Sequence, residues 1–309
     1  MAAIGIDLGG TKIYGVRMKG AEVVADAKGK TPVQGGPMGV VDAIAKVVTE
    51  LGAGEGDVIG VGAPGVIDVD KGVVRAAPNL PGWVEPFALG PALAETLGLE
   101  RVVLDNDVNV GTVAEHRLGA GKGADELLGV FVGTGVGGGV VLDGKLRRGA
   151  TGLAGEIGHV VVVPGGRSCS CGGRGHLEAY AGRAGMERRA RALENKGHDT
   201  ALVELARTKR MTSSVWAKAL AAGDQVAIDL IDEAVGALGR AIAGVILTLD
   251  LRLVVVGGGL ADRLGAAFVD RIEQAVRSDI FGGGTKVRVV AAELGDRAGA
   301  IGAALLATA

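Results

Sequence analysis

The stretch Asp7-Leu8-Gly9-Gly10-Thr11-Lys12 lies between two apolar, extended segments near the start of the chain. Residues 3–7 and 11–17 have the character of β-strands, so the glycines between them predict a tight strand-to-strand turn. Glycine lets backbone N–H groups reach phosphate oxygens, Thr11 offers a further donor, and Asp7 could hold a hydrated Mg²⁺. A solvated glycine hairpin explains this stretch, taken alone, equally well.

A second glycine-rich stretch, residues 133–139 (GTGVGGG), repeats the pattern. It follows an apolar strand over 127–132 and precedes another strand and a hairpin turn at Asp143-Gly144. Two copies of one pattern predict two related domains with a phosphate-binding loop in each. Neither copy matches a P-loop or a strand-to-helix dinucleotide fingerprint, so both of those nucleotide-binding folds are disfavoured.

A third glycine segment follows a buried strand over residues 253–256, where the backbone could pack against an adenine or a ribose. This signal is weak, because any buried strand can end in glycine. Together the three segments give the candidate nucleotide-binding residues, which are Asp7, Gly9, Gly10, Thr11, Lys12, Thr134, Gly135, Gly257 and Gly258.

Composition narrows the functional classes. The 309 residues include 33 basic and 35 acidic side chains, giving a net charge of −2 without a Lys/Arg block. A net charge near zero, together with few aromatic residues, argues against nucleic-acid binding. The most apolar helical segment is about half the length of a membrane span, and no signal peptide is visible, so we expect a cytoplasmic protein without membrane contact.

Alternating strand and helix patterns predict an α/β protein with mixed sheets. We place the boundary near residues 118–122, which gives a smaller domain over 1–118 and a larger one over 119–296. The helix at 297–309 is expected to complete the smaller domain. A helix carrying Met38, Val41, Ile44, Val48 and Leu51 on one face should end near Gly52.

The segment Leu104-Asp105-Asn106-Asp107-Val108-Asn109 carries carboxylates and amides from a buried strand into a helix. Capping of that helix by Asn106 or Asp107 is one explanation, and a role in acid–base chemistry is the other. Further along, Glu156, His159 and Glu178 are polar candidates in a glycine-rich region. Two carboxylates and an imidazole suit a polyol, because each carboxylate can accept from adjacent hydroxyls.

Cysteine occurs only at Cys169 and Cys171, one residue apart, which excludes a disulfide framework. With His159, expected at the end of a strand, and His176, the two thiols form a set of soft ligands that favours tetrahedral Zn²⁺. A reduced thiol pair in a mobile loop is the alternative.

The segments DLGGTK, LDNDVN, GTGVGGG, GEIGH, CSCGGRGHLE and VVVGGG, in this order and spacing, resemble the ROK family (repressors, open reading frames and kinases) of bacterial sugar kinases. The resemblance covers essentially the whole chain. It implies an actin-like ATPase (ribonuclease H-like) fold, with two domains of mixed β-sheets and flanking helices around a central cleft. The implied reaction transfers the γ-phosphoryl group of ATP, with Mg²⁺, to the 6-hydroxyl of glucose.

The resemblance also assigns roles to individual residues. Asp107 matches the family's catalytic base, and the matching sugar-binding positions are Gly65, Asn79, Asn106, Asp107, Glu156, His159 and Glu178. The implied structural Zn²⁺ would be held by His159, Cys169, Cys171 and His176, where His176 replaces the family's third cysteine. Association as a homodimer or homotetramer through the larger domain is implied as well.

Several alternatives stay open from the sequence. The sugar could be mannose, fructose, N-acetylglucosamine or N-acetylmannosamine, and polyphosphate could replace ATP as the donor. A sugar-responsive repressor is disfavoured, because the first strand begins at Ala3 and leaves no room for a preceding helix-turn-helix domain. An assembling ATPase without a sugar site would not explain why Glu156, His159 and Glu178 accompany the cysteine and histidine set.

Overall fold

A computed structural model of the protein describes residues 2–77, 80, 82–207, 209–281 and 286–308. The chain divides into two compact units. The first comprises Met1–Gly123, Gly139–Ala154 and Asp296–Ala309, and the second comprises Ala124–Gly138 and Gly155–Gly295. The sequence-based boundary did not separate residues 139–154 from the second unit, because the patterns on both sides of these residues are continuous.

Mixed parallel and antiparallel strands and eleven named α-helices make up the described structure. The strands are β1 (Ala3–Leu8), β2 (Lys12–Lys19), β3 (Glu22–Lys30), β4 (Val58–Ala63), β5 (Val66–Asp68), β6 (Val73–Ala76), β7 (Val102–Asn106), β8 (Leu127–Val132), β9 (Val136–Leu142), β10 (Lys145–Arg147), β11 (Leu253–Gly257) and β12 (Arg288–Ala291). The helices are α1 (Gly36–Glu50), α2 (Leu89–Leu97), α3 (Asp107–Leu118), α4 (Glu178–Ala181), α5 (Arg183–Glu194), α6 (Ala201–Ala206), α7 (Ser213–Ala221), α8 (Gln225–Leu249), α9 (Gly259–Leu264), α10 (Ala266–Asp279) and α11 (Ala298–Ala307).

The first five-stranded sheet has the order β3-β2-β1-β4-β7. Its β1, β2 and β3 pair antiparallel, whereas β4 pairs parallel with both β1 and β7. This arrangement confirms the predicted opening hairpin and the third strand of the meander. The short antiparallel pair of β5 and β6 was not predicted, since each strand is too brief to show a pattern.

Helix α11 packs unusually close to the first sheet because glycines line the contact. A methyl group at Gly5 on β1 would overlap the carbonyl oxygen of Ala300, and one at Gly60 on β4 would overlap that of Ala303. On the opposite side, a methyl at Gly302 would overlap the carbonyl of Val110 in α3. Helix and sheet therefore meet backbone to backbone, and any larger side chain at these positions would force them apart.

The predicted helix over residues 38–51 is confirmed, but its buried face differs in one position. Val40, Val41, Ile44, Val47 and Val48 are buried, whereas Met38 is 51% exposed. Met38 lies about 120° around the helix from Ile44, which is outside the apolar stripe. The predicted end is right, since Gly52 adopts φ 70° and its N–H donates to the carbonyl of Thr49.

The second five-stranded sheet has the order β10-β9-β8-β11-β12. β11 pairs parallel with β8 and β12, and β9 pairs antiparallel with β10. The turn between β9 and β10 has Asp143 at φ 53° and Gly144 at φ 67°, as the predicted two-residue hairpin requires. Among the described residues, we find no helix that has both the length and the hydropathy of a membrane span.

Candidate functional site

The first glycine loop is fixed by the strands around it. The Gly9 N–H donates to the Lys12 carbonyl (2.9 Å), which closes the turn. Thr31, at the end of the same meander, donates its hydroxyl to the Gly9 carbonyl (2.6 Å) and its N–H to the Thr11 carbonyl (3.2 Å). The loop is thus held in place while Thr11 stays exposed.

Asp7 stands at the end of β1, beside this loop. Burial raises the pKa of Asp7 from 3.8 to about 6, the nearby Lys12 opposes this shift, and Asp296 adds to it. Lys12 forms an ion pair with Asp296 (Nζ–Oδ2 3.2 Å) on the surface. A poorly solvated carboxylate next to backbone amides is suited to bind a cation, because a cation would replace the water that burial removes.

The second glycine loop is fixed by helices. The backbone N–H groups of Arg183 and Ala184, at the start of α5, donate to the carbonyls of Gly133 (3.1 Å) and Thr134 (3.0 Å). The Val136 N–H donates to Glu178 Oε2 (3.2 Å) at the start of α4. Glycine at position 135 leaves room for that carboxylate, since a methyl group here would overlap it and would have to displace it.

The third glycine segment has a structural explanation within the second unit. β11 ends at Gly257, and Gly258 adopts φ 89° before α9 begins. A methyl group at Gly258 would lie 2.8 Å from the backbone of Val132, the last residue of β8. Packing and backbone conformation therefore account for Gly258 without a ligand.

The junction of β7 and α3 shows the helix cap that the sequence suggested, and it places Asp107 at the start of the helix. The Asn106 side chain accepts from the N–H groups of Val108 (2.9 Å) and Asn109 (3.2 Å), so Asn106 caps the helix as expected. Its Nδ2 donates to the Gly65 carbonyl (3.0 Å). Asp107 is the first residue of α3, and its Oδ1 accepts from the N–H of Val108 (3.0 Å).

A buried ion pair that the sequence did not reveal supports this junction. Asp105, only 2% exposed, is bound by Arg148 through Nε (2.8 Å) and Nη2 (2.6 Å). The other Asp105 oxygen accepts from Asn109 Nδ2 (3.0 Å) and from the N–H of Asn106 (2.7 Å). Arg148 lies 43 residues away in sequence, so only the fold shows the pairing. The network fixes the backbone that carries Asp107.

Glu156, His159 and Glu178 all lie in the second unit. His159 Nε2 is 3.9 Å from Glu156 Oε2, and its Nδ1 is 3.9 Å from Cys169 Sγ. Glu178 accepts from the Ser170 hydroxyl (2.8 Å). The predicted strand end at His159 is wrong: His159 ends a 3₁₀ turn, Ile157–His159, because the segment after it forms only an isolated bridge, Val161 to His176.

The predicted metal ligands come together. One ligand atom from each of His159, Cys169, Cys171 and His176 lies within 4.8 Å of the other three. Cys171 Sγ is 3.2 Å from His176 Nδ1, and both cysteines are free thiols. Ligand bonds of about 2.0–2.3 Å around a tetrahedral Zn²⁺ place the ligand atoms about 3–4 Å apart, so this set would fit zinc after its widest separation closes by about 1 Å. Burial raises the pKa of the Cys169 thiol, which a bound cation would reverse.

The predicted site residues thus occupy both units. The first unit holds Asp7, Gly9, Gly10, Thr11, Lys12, Gly65, Asn106 and Asp107, and the second holds Thr134, Gly135, Glu156, His159, Cys169, Cys171, His176, Glu178, Gly257 and Gly258. Asn79 lies outside the described residues. Arg183 contacts Thr134, and Arg148 binds Asp105 next to Asn106. Neither arginine was predicted, since neither belongs to a recognisable motif.

Comparison with known proteins decides the family. The family model described as "ROK family" matches residues 3–309. The chain belongs to the ROK family. Similarity to individual ROK proteins also extends over the full length: a glucokinase from Thermotoga maritima is 37% identical, over 97% of this chain and 95% of that protein.

Two solved ROK structures are similar throughout. A ROK family glucokinase from Streptomyces griseus, in complex with glucose and AMPPNP, has a TM-score of 0.84 and 35% identity, covering 100% of this chain and 99% of that one. A ROK hexokinase from Thermus thermophilus has a TM-score of 0.82 and 35% identity, covering 99% and 97%. The predicted ROK membership and actin-like ATPase fold are confirmed.

Proposed function

We propose that this ROK protein is an ATP-dependent glucokinase, which transfers the γ-phosphoryl group of ATP to the 6-hydroxyl of glucose. Full-length similarity to glucokinases carries the proposal, including a structure that holds glucose and AMPPNP, an ATP analogue. The arrangement of polar groups in each unit supports it.

In the first unit, Asp107 would act as the general base for the attacking hydroxyl. The carboxylate is carried by a strand-to-helix junction that the Asp105–Arg148 pair and the Asn106 cap hold rigid. A fixed base contributes typically 10²–10⁴-fold to rate, and alignment with charge neutralisation supplies the rest. Contacts with sugar hydroxyls would come from Asn106, Gly65 and Asn79. Asn106 would make its contact while it keeps its hydrogen bond to the Gly65 carbonyl.

In the second unit, Glu156, His159 and Glu178 would bind the remaining sugar hydroxyls. His159 supports this role, because its Nδ1 points to Cys169 and its Nε2 is left on the side of Glu156. A structural Zn²⁺ held by His159, Cys169, Cys171 and His176 would fix the tautomer of His159. Hydrogen bonds between these side chains and the sugar hydroxyls would reject a sugar that lacks one of the hydroxyls, because a buried acceptor would then be left unsatisfied.

The two glycine loops would hold the phosphates of ATP. Gly9, Gly10, Thr11 and Lys12 would do so in the first unit, with Asp7 binding Mg²⁺ through water, and Thr134 and Gly135 would do so in the second. Gly257 and Gly258 would lie against the nucleoside. The predicted homodimer or homotetramer and the cytoplasmic location stay predictions.

A coupled assay with ATP and a panel of sugars tests the function. We expect the highest kcat/KM with glucose, and lower values with mannose, fructose, N-acetylglucosamine and N-acetylmannosamine. Polyphosphate in place of ATP tests the donor. A preference for an N-acetylhexosamine, or for polyphosphate, would contradict the corresponding part of the proposal.

Asp107→Asn tests the proposed base. We expect kcat to fall by about 10²–10⁴-fold, while the dissociation constants for glucose and ADP stay nearly unchanged. Asp70→Asn is the matched control, because Asp70 is an exposed aspartate of the same unit. Turnover by the Asp107 variant close to that of the control would remove Asp107 from the mechanism.

A further inference from the structure

Arg183 extends from the start of α5 to the second glycine loop. Its Nη2 donates to Thr134 Oγ1 (3.0 Å), and its Nη1 donates to the Met211 carbonyl (3.3 Å). Its Nε is buried and, among the residues that the structure describes, has no hydrogen-bond partner. The guanidinium group is therefore fixed beside the loop with part of its donor capacity unused.

Arg183 also lacks a direct ion-pair partner among the described residues. Glu187 is close enough to affect its pKa, yet Glu187 Oε1 binds Arg191 and Oε2 accepts from the Met211 N–H (3.0 Å). Burial lowers the pKa of Arg183, and the positive charge of Arg210 adds to this effect. Guanidinium stays protonated even so, so Arg183 places a positive charge on the Thr134 side of the loop, while the Glu178 carboxylate binds the Val136 N–H.

The hydrogen bond to Thr134 also orients the threonine hydroxyl. Since Oγ1 accepts from Arg183, the hydroxyl proton is free to donate to a third group. Thr134 is exposed, so that group can come from a ligand. The first N–H groups of α5 are already bound to the carbonyls of Gly133 and Thr134, which fixes the loop relative to the guanidinium.

We propose that Arg183 is a nucleotide-binding residue that supplies positive charge to the phosphates of ATP and directs the Thr134 hydroxyl toward them. The planar guanidinium group matches phosphate oxygens in geometry and charge. A purely structural arginine at this depth would be expected to pair with a carboxylate. The inference rests on the proposed use of ATP and adds a residue to it.

Binding of ADP and adenosine to Arg183→Gln tests the inference by calorimetry. We expect the Kd for ADP to rise about ten-fold or more, and the Kd for adenosine to stay unchanged, because only ADP carries phosphates. Arg188→Gln is the matched control, since Arg188 is exposed on the same helix. Unchanged ADP binding, or an equal loss for adenosine, would overturn the inference, the latter because it indicates a distorted loop.

Arg183→Lys provides a second variant if the glutamine variant does not fold. Lysine keeps the charge and loses the planar fork, so we expect the Kd for ADP to rise several-fold, with adenosine binding unchanged. Wild-type ADP binding by this variant would show that the guanidinium group has no specific role, and would overturn the inference.

Glucose phosphorylation separates this inference from the proposed function. If the wild-type protein does not phosphorylate glucose but Arg183→Gln still loses ADP affinity, the function fails and the inference stands. If the wild type phosphorylates glucose and Arg183→Gln behaves as Arg188→Gln does, the function stands and the inference fails.

Discussion

The backbone of the first glycine loop is hydrogen-bonded within its own meander, whereas the backbone of the second is bound by helices that follow at least 42 residues later. Thr31 closes the first loop, and the contact is local in sequence. The second loop depends on Glu178 and on the start of α5. Two loops with one sequence pattern therefore differ in what must fold before each is formed.

The charged residues of the two loops also differ in whether they come from nearby or from distant parts of the sequence. The acid and the cation of the first loop, Asp7 and Lys12, belong to the motif itself. Those of the second loop, Glu178 and Arg183, are brought to it by tertiary structure. Glu178 also contacts Ser170 and lies 3.8 Å from Cys169 Sγ, so the second loop is linked to the candidate metal ligands.

Metal removal should have the largest effect and should distinguish the two loops. We expect about one zinc per purified chain, and we expect EDTA to lower the melting temperature by about 10 °C, because bound zinc stabilises the loop that carries Cys169 and Cys171. Hydrogen exchange should accelerate at residues 133–136 and stay unchanged at residues 9–12.

Cys169→Ser provides the control for this experiment. This variant should already lack zinc, so EDTA should change neither its melting temperature nor its exchange. Equal acceleration at both loops would contradict the link between the metal ligands and the second loop. A purified wild type without metal would contradict the zinc proposal.

Alanine at matched glycines should have the next largest effect. Gly135→Ala would displace the Glu178 carboxylate and break its hydrogen bonds, so we expect a loss of about 2–4 kcal/mol in unfolding free energy and a higher KM for glucose. Gly9→Ala meets only the Lys12 carbonyl, at 3.0 Å, and should cost under about 1 kcal/mol. Chemical denaturation checks both, and equal losses would contradict the difference between the loops.

Asp7→Asn should stabilise the first unit while it abolishes Mg²⁺-dependent activity. The pKa of Asp7 is raised to about 6, so the folded state disfavours the ionised form. This destabilisation is fully present above about pH 6 and disappears as the pH falls toward 3.8, where the unfolded chain also becomes protonated.

At pH 8, the free energy of unfolding of the variant should therefore exceed that of the wild type by roughly 1–3 kcal/mol, and its melting temperature should be higher. Both differences should shrink near pH 4. Thermal melts at both pH values measure this, with Asp70→Asn as the exposed control. A variant less stable than the wild type at pH 8 would show that the ionised Asp7 is compensated within the fold.

Lys12→Ala should have the smallest effect on stability. Lys12 and its partner Asp296 have side chains that are 45% and 83% exposed, so their ion pair should contribute under about 0.5 kcal/mol. The KM for ATP should rise even so, because the variant loses an amine that would face the phosphates. A large loss of stability would mean that the first loop depends on its distant contact with Asp296 as strongly as the second loop depends on Glu178.

The same contrast explains what could be predicted from the sequence. Strands β1 and β2, the turn at Gly9-Gly10 and the cap at Asn106 depend on neighbouring residues, and the predictions for them are confirmed. The four residues of the candidate metal site were predicted to come together because soft side chains are rare in this chain and lie close together in sequence, and the structure brings them together.

Features that depend on distant residues were missed. Arg148 and Arg183 are two of many arginines, and only the fold shows that one binds the buried Asp105 and the other binds Thr134. The strand expected at His159 was wrong because valines 160–163 have a strand composition without neighbouring strands to pair with. Burial of Glu178 against Gly135 likewise follows from tertiary packing.

The glycine contacts of α11 bear on how the protein forms during translation. β1 and β4 are synthesised early, yet the helix that covers Gly5 and Gly60 leaves the ribosome after every other element of that unit. Until then, a strip of bare backbone with no side chains of its own stays uncovered on the nascent sheet.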